Sequence, residues 1–337
     1  MRAEYRFAPG LGLAIEGDAA TVSHFDREYG SAATPEPTPV AVEVVFPRHG
    51  SGQSGGSVPG GHKSVRWRAE LTAPGATVLG ARIELFGWPR AFARTLVQGY
   101  FVEPLLSVAA VRAGALLLPA AAFLGESGTI VILGRSGSGK TSLSMHALAL
   151  GTAVLGDDQV LIDPEGACRA FPRRLRVYSD LGERVPLALD RMPRRLVTQL
   201  RVRKLLRILS RGAIAPPLSV PISIFGQRGP LHPAPIRRVV ILERPVARGG
   251  LRTETATVDD AMSQAMRLLR EQREHVALAG GDSWREALMG LEGKEEGLLI
   301  AAFERASIER VTAPSPLSGD SIAGFAAAIG LAAQPGP

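Results

Sequence analysis

The apolar residues of the N-terminal part of the chain fall in short runs that are typical of β-strands. Some runs alternate apolar and polar side chains and others are rich in β-branched residues, and both patterns fit a pleated, partly buried surface. The stretches Ser31–Pro39 and His49–His62 are rich in Pro, Ala, Gly and Ser, so we expect loops there. The predicted strands are Tyr5–Phe7, Leu11–Ile15, Val40–Phe46, Val65–Leu71 and Val78–Phe86. The pattern predicts a β-rich N-terminal domain or layer over residues 1–88.

The apolar spacing becomes helical over Pro89–Val111. The overlapping segment Pro104–Gly125 is almost wholly apolar, but Arg112, Gly114 and Pro119 interrupt it. A buried helix followed by a buried strand therefore explains it better than a membrane span, which needs about 20 predominantly apolar residues. The predicted strands after the helix are Leu116–Leu118 and Ala120–Leu124, with a turn at Glu126–Gly128.

The segment Thr129–Asp163 has the order strand, glycine-rich loop, helix, strand, and its loop matches G-x-x-x-x-G-K-[ST] at every fixed position. Glycines let the backbone N–H groups of such a loop turn toward an anion, and the following helix directs the positive end of its dipole there. The Lys side chain reaches the β- and γ-phosphates, and the Thr hydroxyl binds Mg²⁺. We therefore predict a site for ATP and Mg²⁺. The predicted nucleotide-binding residues are Gly134, Ser136, Gly137, Ser138, Gly139, Lys140, Thr141 and Ser142.

Two acids follow the loop helix at a short interval. Ala153–Leu155 leads into Asp157 and Asp158, and Val160–Asp163 is a second strand-like run. We expect a strand, a turn that carries both acids, and a returning strand. Carboxylates at this position can hold Mg²⁺ and act on an attacking hydroxyl. An ordinary Asp-Asp turn has the same pattern, but the nearby loop favours a functional role.

These residues resemble the HPr kinase/phosphorylase-like kinases, a P-loop family related in fold to the ATP-dependent phosphoenolpyruvate carboxykinases. The resemblance is carried by Leu116–Ala121, by the loop Gly134–Thr141 and by Val154–Asp158. In that family an Asp-Asp pair follows the P-loop lysine at a similarly short interval, whereas ordinary P-loop NTPases usually place their metal-binding acid farther along the chain. The resemblance also reaches, more weakly, Ile236–Glu243.

The resemblance implies ATP-dependent transfer of a phosphoryl group to a hydroxyl group. It assigns the phosphates and Mg²⁺ to Lys140 and Thr141, the role of base to Asp157, and support of metal or water to Asp158, although the two acids could exchange roles. The family commonly carries a histidine where this chain has Pro119, and its phosphorylase signature has no counterpart here. We therefore expect a peptide serine or a small or lipid-linked alcohol as acceptor rather than HPr.

Phe171–Tyr178 is a strand-like segment with several arginines. Phosphoryl transfer needs a cation opposite the P-loop lysine, and the bidentate guanidinium suits that role. In an extended chain Arg174 and Arg176 share one face and Arg173 lies on the other. Arg174 and Arg176 are therefore candidates for phosphate contact, and simple solvated arginines are the alternative.

Met192–Ser210 is predicted as a strongly basic helix. Three interpretations are open for it: a solvated face, a docking surface for an acidic substrate or protein, and a helix that lies on a membrane surface. Its apolar residues Met192, Leu196, Leu200, Leu205 and Leu209 approximate one stripe.

The remainder of the chain shows no catalytic constellation. Ala215–Pro235 is rich in Pro and Gly, which predicts a loop. A helix should begin at Thr257, with Asp260 completing its cap. Other predicted elements are a strand at Ile236–Glu243 and helices at Ala261–Leu278, Trp284–Leu291, Gly297–Ala306 and Asp320–Ala333. We expect a kinase-like core over residues 89–312 and a tail over residues 313–337.

Composition narrows the class of protein. The 337 residues suffice for one large domain or two ordinary ones. The single cysteine, Cys168, excludes an internal disulfide framework, and no signal peptide is visible, so we expect a cytoplasmic protein. The formal charge of +7 fits an anionic partner. No recognised nucleic-acid module is present, and the sequence leaves open whether the chain forms a homo-oligomer.

The sequence thus predicts an α/β protein with a mixed sheet around a P-loop, acting as an ATP- and Mg²⁺-dependent kinase. A non-catalytic ATP-binding regulatory or assembly protein is the alternative, which would bind ATP without transferring phosphate. A carboxykinase-like enzyme would need a second metal held by His and Lys, and the sequence shows no such set.

Overall fold

The structure is a computed structural model, and it describes residues 1–34, 39–47, 56–125, 127–211, 217–225, 233–243, 250–313 and 318–331. The protein is a mixed α/β protein with mixed sheets, as the sequence predicted. It divides into two compact units: unit 1 contains residues 1–117 and 269–297, and unit 2 contains residues 118–268 and 298–337. This division differs from the predicted boundaries at 88 and 312. Parts of the predicted loops, Glu126 and the end of the tail lie outside the described residues.

Unit 1 is built on a six-stranded mixed sheet. Its strands are β1 (Arg2–Ala8), β2 (Leu11–Glu16), β3 (Val40–Val45), β4 (Val58–His62), β5 (Val65–Leu71) and β6 (Leu79–Gly87). They lie in the order β1-β2-β3-β6-β5-β4, with parallel pairing only of β3 to β2 and β6. The five predicted strands are confirmed. β4 lies in the stretch predicted as a loop. Its Pro and Gly residues are typical of loops, but pairing with β5 stabilises a strand there.

The helices of unit 1 include one that the sequence analysis missed. Helix α1 (Ala19–Tyr29) is capped by Asp18, whose carboxylate accepts a hydrogen bond from the N–H of Thr21 at 2.7 Å. Its buried Val22, Phe25 and Tyr29 follow a helical spacing that was present in the sequence. The predicted helix after Pro89 is confirmed as α2 (Arg90–Val97), a π-helical turn (Gln98–Val102) and α3 (Glu103–Arg112), followed by β7 (Leu116–Leu118).

Unit 2 contains the glycine-rich loop within its main sheet. The strands of unit 2 are β8 (Ala120–Gly125), β9 (Gly128–Gly134), β10 (Val154–Gly156), β11 (Val160–Ile162), β12 (Ala167–Ala170), β13 (Leu175–Val177), β14 (Leu218–Val220), β15 (Ala234–Glu243), β16 (Arg252–Thr255) and β17 (Ser307–Thr312). Strand β9 lies between antiparallel β8 and parallel β15, and β15 continues to parallel β17. Strands β13 and β14 form a separate antiparallel pair.

Several helices lie wholly within unit 2. They are α4 (Lys140–Ala149), α5 (Leu181–Arg184), α6 (Pro186–Arg191), α7 (Arg194–Leu209) and α10 (Gly319–Ala328). Helix α4 packs against β8 and β10 of the sheet. Helices α8 (Val258–Met289) and α9 (Glu292–Phe303) have residues in both units, and α8 is interrupted by non-helical backbone at Gly281. The predicted cap is confirmed: the Thr257 N–H donates to Asp260 Oδ2 at 2.9 Å, and the Asp260 N–H donates to Thr257 Oγ1 at 3.1 Å.

The predicted strand, turn with both acids and second strand are present as β10, a bend and β11, but the expected return of the second strand along the first is wrong. Strand β10 pairs with β8, and β11 pairs with β12. The bend between β10 and β11 is very tight, since a Cβ on Gly156 would lie 2.0 Å from the carbonyl oxygen of Gln159. This tight bend separates two strands that pair with different neighbours in the sheet, β8 and β12.

Apolar burial fixes both ends of the glycine-rich loop. Ile132 of β9 and Leu143 of α4 are fully buried in a cluster with Phe123 and Val240. Burying one such aliphatic side chain contributes about 1.5–3 kcal/mol.

In the described part of the chain, no helix is both long and apolar enough to traverse a bilayer.

We expect Gly166→Ala to destabilise unit 2 more than Gly151→Ala. Both glycines have positive φ, at 78° and 90°, so each substitution should cost about 1–2 kcal/mol of backbone strain. Only at Gly166 would the new Cβ overlap another atom, the carbonyl oxygen of Ala301 at 2.4 Å. That overlap should add about 1–3 kcal/mol. Urea unfolding of both variants measures the difference, and equal midpoints would contradict the prediction.

Candidate functional site

The glycine-rich loop connects the end of β9 to the first residue of α4 in a backbone conformation that requires glycine. Gly137 and Gly139 have φ angles of 82° and 106°, which L-residues rarely adopt. A Cβ on Gly134 would lie 2.6 Å from Ser138 Oγ and 3.2 Å from Leu242 Cβ. The fixed glycines of the motif and Gly137 are therefore needed for this loop shape.

Lys140 closes over the loop from the first position of α4. Its Nζ donates to the carbonyl oxygen of Gly134 and to that of Arg135, the latter at 3.2 Å. The N–H of Ser138 donates to the same Arg135 carbonyl at 3.2 Å, so this amide is engaged inside the loop. The first N–H groups of a helix have no partner in the helix itself, and those of α4 follow the loop directly.

The sheet brings the two acids to the loop. Strand β10 is antiparallel to β8, and β8 is antiparallel to β9, so β9 and β10 run in the same direction and end at the same edge. Asp157 follows β10 there, and its Oδ2 accepts a hydrogen bond from Thr141 Oγ1 at 3.0 Å. The adjacent Asp158 forms an ion pair with Arg173, with 3.3 Å between Oδ2 and Nη1.

The two acids differ in burial and in charge environment. Asp157 is 7% exposed, and burial, followed by the negative charge of Asp158, raises the pKa of Asp157 to about 6. The side chain of Asp158 is 36% exposed. Partial burial acts to raise the pKa of Asp158, but the charges of Arg173, Lys140 and Arg176 outweigh it and hold that pKa below its usual value. Asp158 is thus ionised at neutral pH.

A cleft of about 460 Å³ opens beside the loop. Its loop side includes Lys140 and Thr141, and Asp158 lies in its wall. The remaining polar lining comes from Arg176, Tyr178, Asp180, Arg184 and Arg207. Asp180 contacts two of these arginines, Arg184 at 2.8 Å and Arg207 at 3.8 Å.

Most of the predicted site residues line this cleft. Those that do are Ser136, Gly137, Gly139, Lys140, Thr141, Ser142, Asp158 and Arg176. Gly134 lies at the end of β9, and Ser138 is only 1% exposed. Arg174 points elsewhere, because its Nη2 donates to the Ser219 carbonyl at 3.3 Å. Strand β13 begins only at Leu175, so the predicted alternation does not extend back to Arg174.

Sequence reasoning missed three arginines of the site. Arg173 was assigned to the opposite face, yet it pairs with Asp158. Arg184 is four residues from Asp180, a spacing that can indicate a helical ion pair. Arg207 lies on α7 and has no local signal, because only the fold brings it to the cleft.

The residues around Asp157 fit a magnesium ion. Oδ2 of Asp157 accepts the hydrogen bond of the Thr141 hydroxyl, and the Ser144 hydroxyl also acts to lower the pKa of this carboxyl. Among the described residues, the buried Oδ1 has no partner that meets hydrogen-bond geometry. A carboxylate and a hydroxyl are oxygen ligands of the kind that Mg²⁺ prefers, and Mg²⁺ usually takes its remaining ligands from water and phosphate. Across the described ranges no group of three or more His, Cys, Asp or Glu side chains could hold a metal ion.

Comparison of the chain with models of known protein families finds no match. Comparison with curated proteins also finds no similar sequence.

We expect Asp157→Asn to stabilise the nucleotide-free protein at neutral pH. The folded-state pKa of Asp157, about 6, lies above its ordinary value of 3.8, so its contribution to stability is full below the ordinary value and is lost as pH rises through 6. At pH 8 the Asn variant should be about 1–3 kcal/mol more stable than the wild type, and the difference should vanish near pH 4. Urea unfolding at several pH values without Mg²⁺ measures this.

Asp158→Asn is the matched control, and this variant should be less stable than the wild type at pH 8. The pKa of Asp158 is lowered in the folded protein, so its carboxylate stabilises the fold above the ordinary pKa of an Asp, and that contribution is lost as pH falls through the folded value. An Asp157→Asn variant that is less stable than the wild type at pH 8 would contradict the prediction.

Proposed function

We propose that the protein is an ATP- and Mg²⁺-dependent kinase that transfers the γ-phosphoryl group of ATP to a hydroxyl acceptor. The observation that carries the proposal is the placement of a glycine-rich loop with its Lys140 and Thr141, a solvent-accessible carboxylate and three arginines around one cleft. This is the set of groups that phosphoryl transfer requires. The proposal includes a P-loop core of the HPr kinase/phosphorylase-like type, which the motif order and the short interval to the acids support.

The loop and α4 would hold the triphosphate. Lys140 now contacts two loop carbonyls, and its Nζ would exchange them for β- and γ-phosphate oxygens, which are the stronger acceptors. Thr141 and Asp157 would hold Mg²⁺, which when bound neutralises phosphate charge. Ser136, Gly137, Gly139 and Ser142 supply the surrounding wall.

Asp158 is the better candidate for the base, which reverses the division of roles first expected. It lines the cleft where an acceptor can enter, whereas Asp157 is buried and contacts the Thr141 hydroxyl. The ionised Oδ atoms of Asp158 can accept a hydrogen bond from the acceptor hydroxyl and then its proton. Position decides between the acids before pKa does.

The arginines of the cleft would balance charge on the moving phosphoryl group. Arg176, Arg184 and Arg207 all line the cleft. Asp180 shares its charge between Arg184 and Arg207. The charge of Arg176 acts on Asp158, the proposed base. Guanidinium groups stay ionised and bind phosphate oxygens in pairs, which suits them to this role.

Release of ADP with a serine peptide, a small alcohol or a lipid-linked alcohol as acceptor tests the proposal. We expect Asp158→Asn to lower kcat about 100-fold or more without weakening ATP binding, because it removes proton transfer. Asp157→Asn should instead weaken the binding of ATP with Mg²⁺. Glu165→Gln, at an exposed acid outside the cleft lining, is the control. Equal turnover of Asp158→Asn and wild type would exclude Asp158 as base.

ATP binding without transfer to any acceptor would support the alternative, a nucleotide-binding regulatory or assembly protein. Pro119, at the place where the resembling family carries a histidine, is the feature of the chain that favours that alternative.

A second test compares two neighbouring arginines. Arg176→Gln should reduce kcat about tenfold or more, because it removes a guanidinium from the phosphate cleft. Arg174→Gln is the matched control, since this arginine donates to the Ser219 carbonyl and does not line the cleft. Similar losses in both variants would remove Arg176 from the proposed role.

A further inference from the structure

Helix α7 exposes an apolar stripe, Val202, Leu205, Leu206 and Leu209. These side chains are 52%, 56%, 43% and 72% exposed. Their spacings of three and four residues put them on one side of the helix. The predicted single stripe from Met192 to Leu209 is therefore wrong, because Leu200 is buried and Leu209 follows it by about two and a half turns, which places it on the opposite side.

The core side of α7 is already occupied. Leu200 belongs to the core cluster of unit 2, and Leu196 and Val197 pack against that cluster. The apolar stripe is thus additional to the surface that holds the helix on the protein. An apolar surface of this kind that remains in water indicates a binding partner.

The charge of α7 restricts what that partner can be. The helix has six basic residues and no acidic one. Arg201 lies one turn before Leu205, and Arg194 and Arg195 lie about two turns before Val202, all three exposed. A second copy of α7 would bring the same positive charges against these, so self-association through the stripe is electrostatically disfavoured.

We propose that α7 docks on an anionic lipid surface, with the apolar stripe in the acyl boundary and the flanking arginines at the headgroups. Such a surface supplies apolar contact and diffuse negative charge together, and long arginine side chains can reach headgroups from a helix whose apolar side is buried in lipid. Because Arg207 of the same helix lines the cleft beside the glycine-rich loop, docking brings that cleft close to the lipid.

Vesicle co-sedimentation at low salt tests the docking. Wild type should sediment with vesicles of equal parts phosphatidylcholine and phosphatidylglycerol, and not with phosphatidylcholine alone. The double variant Leu205→Ser/Leu209→Ser should bind about tenfold more weakly. Arg194→Gln/Arg195→Gln/Arg201→Gln should also lose about tenfold or more. The assay uses neither nucleotide nor acceptor, so its outcome is independent of the proposed phosphoryl transfer.

The matched control is Leu187→Ser/Ile300→Ser, which removes two aliphatic side chains of unit 2 with 50% and 46% exposure outside the stripe. This variant should bind as the wild type does. Failure of the wild type to bind the mixed vesicles, or equal binding by the stripe variant, would overturn the proposal. So would a stripe-dependent dimer, or stripe-dependent binding of poly-glutamate, in the absence of vesicle binding. Those two results would assign the stripe to a second copy or to an acidic protein.

Discussion

The hydrogen bond between the Thr141 hydroxyl and the Asp157 carboxylate joins helix α4 to the end of strand β10. Strand β10 lies two positions from β9, the strand that leads into the loop. The hydrogen bond forms because β8 lies between β9 and β10 and is antiparallel to both, so β9 and β10 are parallel and end at the same edge of the sheet. The buried side chains of β9 and α4 hold that edge in place. The side of the cleft that Lys140, Thr141 and Asp158 form depends on this juxtaposition of loop and acids.

A buried carboxylate is an expensive group to place there. Burial disfavours its charged form, and among the described residues one of its two oxygens has no partner that meets hydrogen-bond geometry. The neighbouring Asp158 avoids this conflict through partial exposure and through the nearby Arg173, Lys140 and Arg176. The two acids therefore differ: the charge of buried Asp157 needs a nearby cation to offset it, whereas Asp158 stays charged beside the cleft. Strain of this kind is commonly tolerated where it serves a site.

The arginines show how far residue order predicts a site. Arg176 lines the cleft and lies in a strand, β13, as the alternation predicted. Arg174 does not line it, because alternation of side chains holds only where the chain is extended and paired, and the strand starts one residue later. Arg207 reaches the cleft from a helix that begins after two shorter helices. No spacing along the chain could have indicated that approach.

The sequence alone determined the loop, its helix, most strands and the presence of two acids, because those features depend on local backbone freedom and on side-chain periodicity. It also determined that α7 is basic. Only the tertiary structure decided that β10 and β11 separate, that Asp157 rather than Asp158 contacts Thr141, and that Leu205 and Leu209 face away from the core. These outcomes depend on which strands pair and which helix face is covered. Both are set by contacts between residues far apart in the chain, which local pattern does not encode.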